Sequence, residues 1–266
     1  MEAHLFLYNN SPCVAFLLLV EFLLFLYYQR MDYLNEGIKK LGIQSGADNG
    51  AADGNAAVQN LYDGLNTYIN ELELFNSAYD LVGADTHDDI IIRHVLDSLS
   101  AVPFLSGIIS EYSKKGIKPL IADIGSGGGL PGIPLSLAFR DQSVTLVERM
   151  SKRCSFLENC KAVLNLTNVT VENEQAERLA QKRFDIVVFR AFRPLDKKMI
   201  KVLMRIIKPE GYLCAYKAKK DKITEEMDGI KDFIPGYEIV PLQVPFLTDN
   251  NEYERNLVVV RKPVDL

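Results

Sequence analysis

One segment limits this chain more than any other: Asp123-Ile-Gly-Ser-Gly-Gly-Gly-Leu-Pro-Gly-Ile-Pro134, which follows the apolar run Leu120 to Ile124 and opens a helix-forming stretch. Glycine is required where a backbone takes positive φ or lets a ligand approach without a Cβ in the way, and Gly125, Gly127 and Gly129 supply that freedom in alternation. The segment is no P-loop, because no Gly-Lys-Ser/Thr follows to place a lysine against β- and γ-phosphates. Gly127, Gly129 and Gly132 do satisfy the dinucleotide spacing G-x-G-x-x-G, a weak match taken alone. Pro131 and Pro134 stand where a dinucleotide-binding helix would offer N–H groups to a pyrophosphate, and proline has none to give.

Around this turn, short apolar runs alternate with helical segments, the pattern of a parallel sheet covered on both faces. The strands expected are Leu120 to Ile124, Val144 to Val147, Val169 to Val171, Ile186 to Phe189 and Tyr212 to Tyr216. Phe156, Cys160, Val163 and Leu164 mark one intervening helix. Leu195, Met199, Val202, Leu203 and Ile206 mark another, stopped by Lys208-Pro209-Glu210-Gly211. Tyr237 to Leu242 and Leu257 to Arg261 should pair as an antiparallel hairpin. A mainly parallel sheet ending in such a hairpin is the strand programme of a class I (Rossmann-like) S-adenosylmethionine-dependent methyltransferase. In that setting Asp123 can meet the amino group of a methionine moiety directly or through water. Glu148, at the end of the second strand, can accept ribose hydroxyls, a placement shared by many nucleotide-binding folds.

Upstream, Leu61, Leu65, Tyr68, Ile69, Leu72 and Phe75 recur at helical spacing, and Ile92, Val95, Leu96, Leu99 and Val102 repeat the pattern before Pro103. Ser45 to Ala57 is rich in Gly, Ala, Asn and Asp and reads as a loop or flexible insertion. The run Val14 to Tyr28 is apolar but for Glu21. It is short of the roughly 20 residues of a membrane span and lacks the basic start and small-residue cleavage site of a signal peptide. A start at Met31 accounts for it best, ahead of a membrane-associating helix and a buried helix, and a membrane partner is not expected. The organisation expected is therefore an apolar extension over 1–30, a helix and flexible loop over 31–60, a helical cap over 61–118 and an α/β domain over 119–266.

The four cysteines, Cys13, Cys154, Cys160 and Cys214, form no C-x-x-C pair and lie far from the three histidines, so they read as free thiols in a reducing cytosol, and no metal site is expected. The formal net charge is −5. Yet Arg149 to Lys222 holds 18 Lys/Arg against 8 Asp/Glu, the remainder being strongly acidic. Lys152, Arg153, Arg193, Lys197, Lys198, Lys201, Lys217, Lys219, Lys220 and Lys222 fall on loops and helix starts after strands, where open α/β sheets bind ligands. Either a solvated face or a polyanion-binding surface follows from such a run.

Taken in order, Arg93-His-Val-Leu-Asp-Ser98, the glycine turn through Pro134, Lys152-Arg-Cys-Ser-Phe-Leu157, Ala176-Glu177, Phe184-Asp185, Arg190-Ala191, Lys217 and Asn256-Leu-Val-Val-Val-Arg261 closely resemble the small-subunit ribosomal RNA methyltransferase G family, also called glucose-inhibited division protein B. The resemblance spans about Leu61 to Lys262. It implies transfer of a methyl group from S-adenosyl-L-methionine to N7 of one guanine in a 16S rRNA hairpin loop near the decoding centre. The partner implied is 16S rRNA or the 30S subunit, in the cytoplasm, with oligomeric state left open. By resemblance Gly125 and Leu130 line the cofactor, Ala176 and Glu177 lie beside its adenine, and Arg190 sits next to the methyl donor. The cofactor set is completed by Asp123, Gly127, Gly129 and Glu148. Arg190 and Lys217 are expected to orient the substrate through guanine O6 or phosphate, with no general base, because the N7 lone pair is already free at neutral pH. Arg93, His94, Arg193, Lys197 and Lys217 are the RNA ligands expected. This chain departs from the family at Asp80-Leu81-Val82 (commonly Asn-Leu-Thr), Gln175 (often Arg) and Ala218 (usually Gly). A hydrolase triad of His94, Asp97 and Ser98 is not favoured, since residues at i, i+3 and i+4 stack on one helix face and no nucleophile elbow is present. An NAD(P)-dependent oxidoreductase, a methyltransferase acting on another RNA or a small molecule, and a silent RNA-binding module remain as the other readings.

Overall fold

A computed structural model describes residues 33–43, 54–190, 194–250 and 252–264. The apolar run Val14 to Tyr28, and Arg193 among the expected RNA ligands, lie outside the described residues. Helix α1 (33–40) precedes the long α2 (Gly54–Tyr79), which begins inside the stretch read from composition as a loop. A helical stretch follows, made of α3 (His87–Asp89), a π-helical segment (Ile90–Leu96) and α4 (Asp97–Leu99), and α5 (Val102–Lys114) comes next. Pro103, which follows the helical pattern of Ile92 to Val102, sits in the first turn of α5, where a missing N–H costs nothing.

The sheet holds seven strands: β1 (Leu120–Ile124), β2 (Ser143–Val147), β3 (Val169–Glu172), β4 (Phe184–Arg190), β5 (Ile207–Lys217), β6 (Glu238–Pro241) and β7 (Asn256–Arg261). Their order is β3-β2-β1-β4-β5-β7-β6. The first five run parallel, while β7 is antiparallel to both β5 and β6. Helices α6 (Gly132–Ala138), α7 (Ser151–Val163), α8 (Lys197–Ile206) and α9 (Lys220–Asp228) make the connections.

Alternation along the strands divides the core between the two faces of the sheet. Ile121, Ile186 and Val188 pack with Leu65, Tyr68 and Leu96 on one side. Ala122, Val187 and Phe189 pack with Met199, Leu203 and Met227 on the other. Both faces are thus covered, which is why the strands read as continuous apolar runs. β5 starts earlier than expected. Lys208-Pro209-Glu210-Gly211 does end α8, but the chain is already extended there and makes an irregular excursion, with Glu210 at φ 62°, between the Phe184–Ile207 and Ile186–Tyr212 pairs.

Candidate cofactor and RNA site

Strand order reverses between β1 and β4, and ligands of open α/β sheets bind outside the carboxyl ends of the strands at such a point. The glycine turn leaves β1 there. Gly125 and Ser126 donate their N–H groups to Val147 O at 2.8 and 3.1 Å, tying the turn to the end of β2, and Gly125, Gly127 and Gly129 take φ of 74, 56 and 92°. The Tyr68 hydroxyl donates to Gly128 O at 2.5 Å, so α2 holds the far side of the turn. Gly132 has a different role. A Cβ there would strike Leu146 and come within 2.7 Å of Asp123 Oδ2, so glycine lets α6 close onto the sheet.

Asp123 is wholly buried, and its Oδ2 accepts the Gly132 N–H at 2.9 Å. Its Oδ1 has no partner. Burial pushes the carboxyl up to about 7, against the Gly132 hydrogen bond and the Arg190 charge, which pull it down. Glu148 spans the two loops: Oε2 accepts the Gly127 N–H at 3.0 Å and Oε1 the Met150 N–H at 2.8 Å. Each oxygen keeps a second lone pair for a hydroxyl. A cleft of about 260 Å³ opens beside these groups, lined by Gly125, Glu148, Met150, Arg153, Ala176 and Glu177 among others. Leu130 is buried next to a cis bond to Pro131, and Gly127, Gly129 and Leu130 stand behind the cleft rather than on its wall. Two larger clefts, about 710 Å³ beside Tyr237 and about 1160 Å³ beside Arg140, hold none of the expected site residues.

Arg205, on α8, was not anticipated. Its guanidinium donates to Leu179 O at 2.7 Å, Glu177 O at 3.0 Å and Ala176 O at 3.4 Å, fixing the loop that forms one wall of the cleft. Arg205→Ala is expected to weaken cofactor affinity about tenfold by isothermal titration. Lost hydrogen bonds from a charged donor, about 1.5–3 kcal/mol each before relaxation, set the upper limit of its effect on stability.

At the end of β4, Arg190 is gripped on three sides. Its Nη1 donates to Arg93 O and to Asp97 Oδ2, both at 3.0 Å, and its Nη2 meets His94 Nδ1 at 3.0 Å. His94 Nε2 lies 3.2 Å from Gly83 O, a pure acceptor, so Nε2 carries the proton and Nδ1 accepts from Arg190. Burial and the Arg190 charge lower its pKa to about 4, and the ring is neutral. Asp97 is buried, with Arg255 Nε 3.3 Å from Oδ1. The Ser98 hydroxyl donates to the His94 carbonyl at 2.6 Å, not to its ring, so the helix-face residues brace a loop and form no triad.

The segment Asp80-Leu81-Val82, where the chain departs from its family, lies against the glycine turn. Asn76 Oδ1 accepts from Leu81 N and Val82 N at 2.9 Å each, and Arg153 Nη2 donates to Asp80 O at 3.2 Å. Neither Asn76 nor Arg255 was singled out from sequence, for their partners are main-chain atoms or a distant carboxylate. Arg93 is half exposed, paired with Asp89 at 3.0 Å, and stands 5.5 Å from the Tyr253 ring centroid. Lys197 is exposed on the first turn of α8. Lys217 is mostly covered and bonded to Glu226.

A seven-stranded, mainly parallel sheet with a reversed penultimate strand at its edge, carrying a glycine turn and an acidic strand end at the switch point, defines a class I S-adenosylmethionine-dependent methyltransferase. Comparison with known proteins narrows the class. The family model described as "rRNA small subunit methyltransferase G" matches residues 61–258. The chain is 38% identical over 252 residues to the ribosomal RNA small subunit methyltransferase G of Treponema denticola, covering 86% of this chain and 94% of that one. It is 34% identical over 234 residues to the Cellvibrio japonicus protein of the same name, covering 87% and 98%. The chain belongs to the rRNA small subunit methyltransferase G family.

Proposed function

We propose that this enzyme methylates N7 of a single guanine in the 16S rRNA hairpin loop near the decoding centre, acting in the cytoplasm on rRNA or the 30S subunit. The observation carrying this reading is that, among the described residues, His94, Asp97 and Glu226 near the ends of β4 and β5 are each engaged, while Asp123 is given to the cofactor. His94 offers Nδ1 to Arg190 and Nε2–H to Gly83, Asp97 is held by two arginines, and Glu226 is held by Lys217. Such a site suits an acceptor whose lone pair is already free, and guanine N7 is one. Catalysis then rests on alignment, which is worth several kcal/mol when reacting atoms are held in line.

The cofactor supplies an electrophilic sulfonium methyl group. The residues fit it: the cleft wall offers Glu148 to ribose hydroxyls and Ala176 with Glu177 to adenine, and the orphaned Asp123 Oδ1 supports a role for Asp123 toward the ammonium, through water. Gly125 gives the ligand its approach, Gly127, Gly129 and Leu130 shape the turn behind it, and Arg190 borders the methyl. Arg190 and Lys217 orient the base, and Arg93, Arg193 and Lys197 complete the RNA face, whereas His94, with both ring nitrogens taken, holds Arg190 and does not itself meet the RNA.

An ammonium ligand needs Asp123 ionised. Cofactor affinity is therefore expected to fall as pH drops through about 7, by up to tenfold per unit, and to rise to a plateau above it. Titrations from pH 6 to 8 check this, and Asp123→Asn should flatten the profile.

The reaction is tested by tritium transfer from labelled S-adenosylmethionine to unmodified 30S subunits, followed by chemical cleavage at 7-methylguanine. One marked guanine in the decoding-region loop is the expected result. No label, with cofactor binding intact, would overturn the substrate assignment.

A further inference from the structure

Glu226, on α9, is not among the residues lining the cofactor cleft, yet it makes three polar contacts near the carboxyl end of β5. Its Oε1 and Oε2 accept from Lys217 Nζ at 2.7 and 3.0 Å, and Oε1 also accepts the Leu195 N–H. Lys217 and Glu226 are 16% and 18% exposed. Lys217 ends β5 one residue beyond Tyr216, the register partner of Arg190, and its Nζ stands 5.5 Å from the centroid of the Phe189 ring, on the sheet face covered by α8 and α9. Arg190 and Lys217 are each paired with a carboxylate, Asp97, which Arg190 shares with Arg255, and Glu226.

We infer that Glu226 is a positioning residue that cancels the Lys217 charge while leaving one of its N–H groups free for the guanine. The inference rests on the guanine-N7 reading above. In the transfer the N7 lone pair bonds the methyl carbon as the carbon–sulfur bond breaks, so positive charge passes from sulfur to the purine. A bare ammonium beside that ring would oppose the charge, whereas hydrogen-bond donors without net charge hold O6 and do not. Among the described residues Glu226 is the hydrogen-bond partner of Lys217 Nζ, and its two oxygens take at most two of the three ammonium protons.

The test uses the full chain with unmodified 30S subunits and the variants Glu226→Gln, Lys217→Met and the double. Gln keeps an acceptor for Leu195 N–H but loses the charge. Glu226→Gln should lower kcat about tenfold and also lower KM for the subunit. Without cofactor, its RNA binding should steepen in salt dependence by about one released ion, because Lys217 is freed for phosphate. In the double variant no cation is left to cancel, and kcat should return to within about threefold of Lys217→Met. The inference is overturned if Glu226→Gln keeps its kcat, if its salt dependence is unchanged while cofactor affinity and thermal stability fall together, or if the double is as slow as Glu226→Gln. Mapping the wild-type product separates this from the parent reading: a wild type that makes no 7-methylguanine defeats that reading, whereas a wild type that makes it while the variants disobey defeats the inference alone.

Discussion

Gly125→Arg is expected to raise the cofactor dissociation constant more than a hundredfold and to abolish methyl transfer while leaving the protein folded. Gly125 lines the cleft beside Glu148 and holds φ at 74°. A non-glycine residue pays about 1–2 kcal/mol for that backbone conformation, which for a chain of this size lowers the melting temperature by only a few degrees. The larger effect is spatial. A long side chain rooted on the wall obstructs the cleft of about 260 Å³ proposed above for the adenosine. Gly125→Ala separates the two contributions, since it carries the backbone strain with a single methyl group, and its affinity should fall only about tenfold. Isothermal titration with S-adenosylmethionine, paired with thermal unfolding of each variant, reads both. An Arg variant that binds cofactor as the wild type does would remove Gly125 from the pocket.

What the sequence disclosed about this site follows from how local the determinants are. The glycine turn and Glu148 are legible because backbone conformation and strand ends are written in neighbouring residues. The strands of the parallel sheet are legible because β4 is covered on both faces and so runs apolar without a break. Pro103 alone does not say which side of it is helical, because proline suits a helix's first turn as well as the residues just past its end. Arg205 was hidden because its partner Glu177 lies 28 residues away, across the fold rather than along it, and Glu226 because β5 and α9 must both be in place before it meets Lys217, nine residues away, and Leu195, 31 away.

The basic run shows the same limitation in charge. Its excess of cations suggested a broad polyanion surface, but several of them are engaged within the fold. Arg183 pairs with Glu172, Lys208 with Asp185 and Lys217 with Glu226, while Arg205 serves three carbonyls. Lys152, Lys197, Lys198, Lys201, Lys219 and Lys220 remain exposed. The surface available to RNA phosphate is smaller than the count of charges, and the salt dependence of binding should report the exposed set.

Asp97→Asn should be the most destabilising conservative change in the cap. Asp97 is 4% exposed and lies between Arg190 Nη1 at 3.0 Å and Arg255 Nε at 3.3 Å. The amide keeps the shape and one acceptor but removes the negative charge, leaving two guanidinium groups facing each other with little water to screen them. Removing one partner of a buried ion pair typically costs about 3–5 kcal/mol, or a melting-temperature loss of roughly 10 °C here. Activity should fall further than stability alone accounts for, because Arg190, proposed above to border the methyl group, is held by Asp97 together with His94 and the Arg93 carbonyl. Combining Asp97→Asn with Arg255→Met should recover part of the stability, since the amide then faces a single cation, and a double-mutant cycle by thermal unfolding measures that coupling. Transfer to 30S subunits should recover less than stability does, because Arg190 would still lack its charged partner. Strictly additive losses would show that Asp97 holds each arginine independently and that the three residues do not act as one clasp.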